Sequence, residues 1–454
     1  MKHYEKATGR MNFVKHEKFN YKTLADVKSK LEELQVTLPL SDDLSILAQH
    51  MEIKGKHLPN RFAIQPMEGC DGTAGGSPDE LTIRRYERFA NSGAALIWEE
   101  ATAVVPEGRA NPRQLYIHKG NLDDYKAFTE KIKSDCLKAN GFEPVVIMQA
   151  THSGRYAKPT GTPAPMIAYN NPIFEKDNPI SKDRIVSDDY LKMLEEKFGE
   201  ASKLAEEAGF DGVDIKCCHR YLLSELTSAF TREGEYGGSF ENRTRLYRNA
   251  ITNALNATSE KFIVTSRLNL YDGFPYPNGF GVATDGSTTP ELTESIRLVE
   301  ILHKELGLEL LDFTIGNPYF NPHVNRPYDN GGYIPDEHPL EGVARMFDCI
   351  GQVAKKFPTL KVISSGHSYL RQFAGNLAAG AIEQGVSQMA GFGREAFAYP
   401  EFIKDLLEKG AMEPTKCCIT CGKCTELMRA GSKAGCAIKD KLYTDLYKRD
   451  VLKK

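Results

Sequence analysis

The chain has 454 residues, 41% of them hydrophobic and 26% charged. That is a globular composition with enough apolar mass for a large core, which excludes disorder for most of the chain. The 58 basic and 61 acidic residues leave a formal charge of −3, which excludes a global basic field for nucleic acid or an anionic membrane. No stretch approaches the roughly 18–20 apolar residues of a membrane span. The opening residues, MKHYEKATGRMNFVKHEKFNYK, are basic but lack an apolar centre. No secretory signal is therefore expected, and the chain reads as soluble and cytoplasmic.

Residues 1–50 are polar and mixed in charge, with one helix-like piece, Thr23–Leu34, and read as an extension packed on something larger. From about residue 57, short apolar runs alternate with segments of helical period. The runs lie at 61–66, 94–99, 144–150, 212–215, 262–268, 310–314, 361–365 and 388–390. The helical segments lie at 79–91, 123–140, 188–209, 241–258, 290–306, 341–357, 369–380 and 400–410. Continuous apolar runs joined by helices mark a buried parallel sheet. Eight strand-then-helix units predict an α/β fold, a (β/α)₈ barrel. The alternative, an open doubly wound sheet, is disfavoured because no G-x-G-x-x-G follows any strand. The expected organisation is an extension over 1–50, a barrel over 51–412 and a Cys-rich segment over 413–454, with KGAMEPTK (409–416) as linker.

A barrel of this kind places its site at the C-terminal strand ends. The residues there are Pro66, Met67 and Glu68; Glu99, Glu100 and Ala101; Gln149 and His152; Lys216, His219 and Tyr221; Arg267; Asn317 and Tyr319; Gly366 and His367; Gly393 and Arg394. Five of the ten cysteines fall between Cys417 and Cys436. Local clustering points to metal or redox chemistry rather than a disulfide scaffold. Cys418, Cys421, Cys424 and Cys436 form a three-plus-one group that suits a [4Fe–4S] centre. A Cys₄ zinc site, which normally pairs its cysteines, is the alternative. Cys417 is the spare thiol.

Several strand ends together resemble one family. Asn60-Arg61 with Pro66-Met67 looks like the first strand of the old yellow enzyme family, and Gln149-Ala150-Thr151-His152-Ser153-Gly154-Arg155 is similar to its third. The stretch from Gly209 to Ile215 followed by Tyr221-Leu222-Leu223 resembles its fourth, and Tyr236-Gly237-Gly238-Ser239-Phe240-Glu241-Asn242-Arg243 matches the string that follows. The cysteine spacing resembles the iron–sulfur branch, which includes 2,4-dienoyl-CoA reductase and trimethylamine dehydrogenase.

The resemblance implies FMN at the barrel mouth. Gln149 and Arg267 would meet the flavin pyrimidine, where a fixed guanidinium stabilises charge on the reduced ring. Ala101, with Pro66 and Met67, would lie beside the ring, and Gly366, Gly393 and Arg394 would hold the phosphate. Lys216 and His219 occupy the family's pair of substrate hydrogen-bond donors, and the lysine is a departure from it. Tyr221 fits the family's proton donor. Arg220 is expected to put a cation near the substrate. Glu68 stands where the family commonly has Thr or Cys, and a carboxylate there opposes flavin reduction unless protonated or turned away. Tyr319 and His323 are candidates for a further residue after strand six. Glu241 and Arg243 are expected to pair so as to tie the loop to the barrel, and Trp98 to be core.

The implied function is an FMN- and [4Fe–4S]-dependent oxidoreductase reducing the activated C=C bond of a small unsaturated substrate such as an enone, enoate or enoyl thioester. The alternatives are an amine dehydrogenase and a non-catalytic electron-transfer subunit. Related multidomain members continue into a nucleotide-binding region, whereas 18 residues follow Cys436 here. The expectation is therefore a separate electron-donor protein, a ferredoxin or flavoprotein, attracted by Lys416, Lys423, Arg429, Lys433, Lys439 and Lys441. No nucleic-acid or membrane partner is expected, and the sequence is open to a homo-oligomer.

Overall fold

The helix expected near the start forms over Leu24–Leu34. Thr23 is its N-cap and exchanges hydrogen bonds with Asp26 in a capping box. Val27 and Leu31, one turn apart, are buried. The structure is a computed structural model describing residues 17–453, so the reading of the opening residues as lacking a signal falls largely outside the described residues.

The apolar runs form eight strands: β1 (Phe62–Ile64), β2 (Leu96–Ala103), β3 (Val145–Thr151), β4 (Gly212–Ile215), β5 (Ile263–Asn269), β6 (Leu310–Thr314), β7 (Lys361–Ser364) and β8 (Met389–Phe392). Neighbours pair in parallel, and β8 pairs with β1 to close the barrel. Every strand residue except Lys361 is buried. That is why the runs show no period-2 alternation: one face fills the barrel and the other meets helices.

The strands are separated by α1 (Glu80–Ala90), α2 (Leu122–Asn140), α3 (Asp188–Glu207), α4 (Arg245–Ala257), α5 (Thr293–Glu300), α6 (Pro339–Ala354) and α7 (Ala374–Glu383), and α8 (Phe402–Lys409) follows β8. The segment read as 241–258 splits into a turn, Phe240–Arg243, and α4. Glu241 and Arg243 both form ion pairs, each with a partner on α5. Glu241 meets Arg297 and Arg243 meets Glu294, so the string is tied to α5.

A hairpin, Met51–Ile53 with Lys56–Leu58, lies outside the sequence reading. Its Met51, Ile53 and Leu58 share a cluster with Ala63, Leu96, Trp98, Ile147 and Ile363, which plugs the N-terminal end of the barrel. The extension runs along α7, where a Cβ on Gly380 would come within 2.3 Å of the Pro39 carbonyl, so only glycine fits that approach. Residues beyond α8 fold back over the C-terminal strand ends. Ala434 N–H donates to Gly69 O (2.7 Å), Arg429 to Tyr319 O (3.2 Å), and Asp440 pairs with Arg84 and Arg88. Among the described residues no helix is long and apolar enough to cross a membrane.

Candidate active site

The C-terminal strand ends open into one cleft, with about 1170 Å³ of empty space when its open mouth is included. Pro66, Met67, Ala101, Gln149, Lys216, His219, Tyr221, Arg267, Gly366, Gly393 and Arg394 all line it. A bulge in β2 brings Ala101 there: three steps from Trp98 to Ala101 match two on β3. Glu99 and Glu100, in the bulge, are buried. Glu100 accepts from Gly69 N–H and meets Arg85, whose other partner is Asp71 at 2.5 Å. This network pins the turn after β1 that carries Glu68. Gly69 is the residue that lets Arg85 in, since a Cβ there would meet its guanidinium at 2.0 Å.

At the base of the cavity two buried aspartates hold the two residues assigned to a flavin pyrimidine. Asp214 accepts from Gln149 Nε2 (2.6 Å), Trp98 Nε1 (2.9 Å) and the Arg267 backbone N–H (2.8 Å). Trp98 is core, and its one polar atom is used. Burial pushes Asp214 up to about 7. Arg267 Nε lies 3.2 Å from Asp312 Oδ2, an ion pair without hydrogen-bond alignment. Asp312 Oδ1 accepts from Gln65 Nε2 (2.9 Å) and Ser365 Oγ (3.3 Å).

The wall after β4 carries Lys216, His219 and Tyr221. His219 and Arg220 both adopt left-handed backbone, each with φ 62°, a strained state for two adjacent non-glycine residues. Arg220 holds it. Its side chain is buried and turned away from the cavity, pairing with Asp272 (3.0 Å) and donating to Tyr169 (3.0 Å) and Ser228. It does not put a cation near a substrate. Asp272 is itself fixed by Asn269 and the Phe280 N–H.

His219 Nε2 is buried with no hydrogen-bond partner. Burial, reinforced by Arg267, Lys216 and Arg394, holds the imidazole well below its ordinary range, so it is neutral. Burial also lowers Lys216, whose Nζ lies 3.6 Å from the Tyr221 ring centre. The Tyr221 hydroxyl is 3.0 Å from that of Tyr319 and 3.4 Å from Glu68 Oε2. Burial, with Tyr319 and Glu68, raises the phenol well above its usual value and keeps it protonated. Glu68 is turned toward Asn111, which donates to Oε1 at 2.7 Å, and burial raises its carboxyl.

Tyr319 lines the cavity and His323 does not; His323 bonds Tyr333 in the irregular loop after β6. His152 is also structural. It accepts from Gly154 N–H at Nδ1 and donates from Nε2 to Tyr190, which donates to Glu107. His367 is buried between Ser364 and the Gly391 carbonyl.

Arg326, absent from the sequence reading, lines the cavity beside Arg394. Its only sequence mark is one basic residue before Pro327 in a long loop. Nε and Nη1 of Arg326, Nε of Arg394 and Nε2 of His219 are buried without partners. Buried polar groups are normally satisfied, so these atoms fit an anionic, hydrogen-bonding occupant, and FMN offers both a phosphate and ring acceptors. Gly366 has φ +94°, and a Cβ there would strike Met346 at 2.4 Å.

Cys418, Cys421, Cys424 and Cys436 together line a second, smaller cavity. Arg326, Arg394, Phe397 and Cys424 line both cavities. Among the described residues no three His, Cys, Asp or Glu side chains are gathered as one metal ion would need.

A sequence model of the NADH:flavin oxidoreductase / NADH oxidase family matches residues 47–293. The NADPH dehydrogenase of Halalkalibacterium halodurans is 32% identical over 276 residues, 58% of this chain and 71% of that protein. Among solved structures, a 2-naphthoyl-CoA reductase in complex with 2-naphthoyl-CoA superposes with a TM-score of 0.72 at 16% identity. That match covers 89% of this chain, which spans 58% of the reductase chain. An old yellow enzyme homologue from Zymomonas mobilis gives a TM-score of 0.57 at 20% identity, covering 81% of this chain and 94% of that one. The barrel, the cavity at its strand ends and the family match over more than half the sequence place the chain in the NADH:flavin oxidoreductase / NADH oxidase family, that of old yellow enzyme.

Proposed function

We propose that this protein reduces an activated carbon–carbon double bond, with FMN in the larger cavity and a [4Fe–4S] cluster at the four cysteines. The observation that carries the reading is one wall, after β4, that presents a neutral imidazole, a lysine amine and a protonated phenol to the same space. FMN, when bound, supplies hydride from N5. Gln149 and Arg267 would hold its pyrimidine, Pro66, Met67 and Ala101 would pack on the ring, and Gly366, Gly393 and Arg394 would hold the phosphate. A cluster, when assembled, supplies single-electron transfer between a donor and the flavin.

His219, with a free ring nitrogen, donates to the substrate carbonyl, and Lys216 adds a positive charge near the same oxygen. Electron density withdrawn into that oxygen opens the alkene to hydride at the β-carbon. Tyr221 gives its proton to the α-carbon, so two electrons and two hydrogens convert C=C to CH–CH. Lys216 disfavours a cationic amine in the same place, which weighs against an amine dehydrogenase.

Two kinds of donor fit as the source of the reducing electrons. The relatives named NADPH dehydrogenase favour a nicotinamide cofactor. The basic residues around the cysteines favour an acidic electron-transfer protein. Asp440, one of the acids among them, is offset by its pairs with Arg84 and Arg88. The testing experiment is anaerobic turnover of enones, enoates, enoyl thioesters and amines by cofactor-loaded protein, with saturated product expected from at least one alkene class.

A further inference from the structure

Asp312 is a charged residue in the middle of a barrel strand, LLDFT, whose other members are apolar or small. Its side chain is fully buried. Burying a carboxylate costs several kcal/mol unless it is paired, and a pair of apolar residues would serve the barrel as well. The residue does not line the cavity and takes no part in the proposed reaction. What it touches is Arg267, its direct cross-strand neighbour in the β5–β6 register.

We propose that Asp312 lowers the reduction potential of the bound flavin by cancelling the charge that Arg267 would otherwise present to the pyrimidine. This rests on the reading that FMN occupies the cavity with its pyrimidine at Arg267. Reduction adds negative charge to that end of the ring, and an uncompensated guanidinium would stabilise it. With a carboxylate 3.2 Å behind it, Arg267 keeps its hydrogen-bond donors but loses most of its net field. The flavin is then a stronger hydride donor.

Two further contacts keep the carboxylate charged. Gln65 Nε2 donates to Oδ1 at 2.9 Å, and Ser365 Oγ, at 3.3 Å, is the second donor. Burial alone would neutralise the acid, but with Arg267 pulling the other way it reaches only about 6 and stays mostly ionised at neutral pH. The nearby Asp214 is spent differently: its oxygens accept from Gln149, Trp98 and the Arg267 backbone, so it orients those groups rather than facing the guanidinium. Asp312 acts through Arg267 and is therefore a positioning residue for charge, not a catalytic one.

The test is the flavin midpoint potential, measured anaerobically by dye equilibration on FMN-loaded wild type and on Asp312→Asn. The asparagine variant is expected to be easier to reduce. Its preference for reduced over oxidised FMN should rise about tenfold, which for a two-electron couple is about 30 mV. The double variant Arg267→Gln/Asp312→Asn, with both charges gone, is expected to return close to the wild-type potential. A purely structural role would give no such rescue. Asp312→Ser, which also removes the charge and is a smaller neutral residue with a polar atom left for Gln65, is expected to move the potential the same way, and it tests the idea should the asparagine variant not fold. Unchanged potentials in folded, FMN-loaded variants overturn the charge argument and leave the flavin site standing. Failure of the wild type to bind FMN overturns both.

Discussion

The Lys216 ammonium lies 3.6 Å from the centre of the Tyr221 ring, over its face. A cation there stabilises the phenolate that remains when Tyr221 gives up its proton. The neutral ring already meets the same group in the ground state, so only the added attraction to the developing phenolate speeds the step. Lys216→Met is therefore expected to lower kcat for the preferred alkene by about tenfold. A variant in which KM rises and kcat does not change would confine Lys216 to substrate binding.

Cofactor content follows from the two cavities. Anaerobically prepared protein is expected to carry one FMN and four irons per chain by metal analysis and flavin extraction. Cys421→Ser is expected to lose the iron and keep the flavin, because Cys421 lines only the smaller cavity. Two irons, or zinc in their place, would contradict the cluster.

The contribution of His152, which is almost fully buried, to the pH dependence of stability has a definite sign. Burial lowers its folded pKa to about 3, while the unfolded value is near 6.5. Between those values the unfolded state binds the extra proton, so the stability contributed by neutral His152 is complete above pH 6.5 and declines as pH falls toward 3. At about 1.4 kcal/mol per pH unit, the loss is about 2 kcal/mol at pH 5. Chemical denaturation of wild type and His152→Gln at pH 7.5 and pH 5 should show the wild type losing about that much more than the variant. Equal losses would mean that His152 is not neutral in the fold.

Much of this was written in the chain, and the reasons are physical. Strands buried on both faces read as unbroken apolar runs, so eight barrel strands could be placed within a few residues. Residues just past those runs fall at one end of the barrel, so Tyr221, His219 and Arg267 could be named before any coordinate. Side-chain direction was not legible. Arg220 follows a left-handed residue and is itself left-handed, which turns it inward to Asp272, 52 positions away in sequence. Arg243 and Glu241 each found a partner on α5 more than fifty positions on. The three-residue strands of the hairpin are too short to show a period. His323 sits in an irregular loop, where register gives no guide.

A protein electron donor makes a prediction about salt. Lys423, Lys439, Lys441 and Arg429 would steer an acidic ferredoxin, so its rate of flavin reduction should fall steeply as ionic strength rises past 0.1 M, where the screening length is about 10 Å. Stopped-flow mixing separates the donors. Reduction by NADH or NADPH alone, as fast as turnover and indifferent to salt, would remove the protein partner.

The central claim is alkene reduction with Tyr221 as proton donor, and one pair of reactions tests it most directly: anaerobic turnover of an enone, enoate or enoyl thioester by the FMN-loaded wild type and by Tyr221→Phe, following both flavin reduction and saturated product. The account predicts saturated product from the wild type. In the variant it predicts flavin reduction at the wild-type rate and product formation slowed by about 10²–10⁴-fold. No reduction of any alkene by the wild type, or an unchanged product rate in the variant, would contradict it.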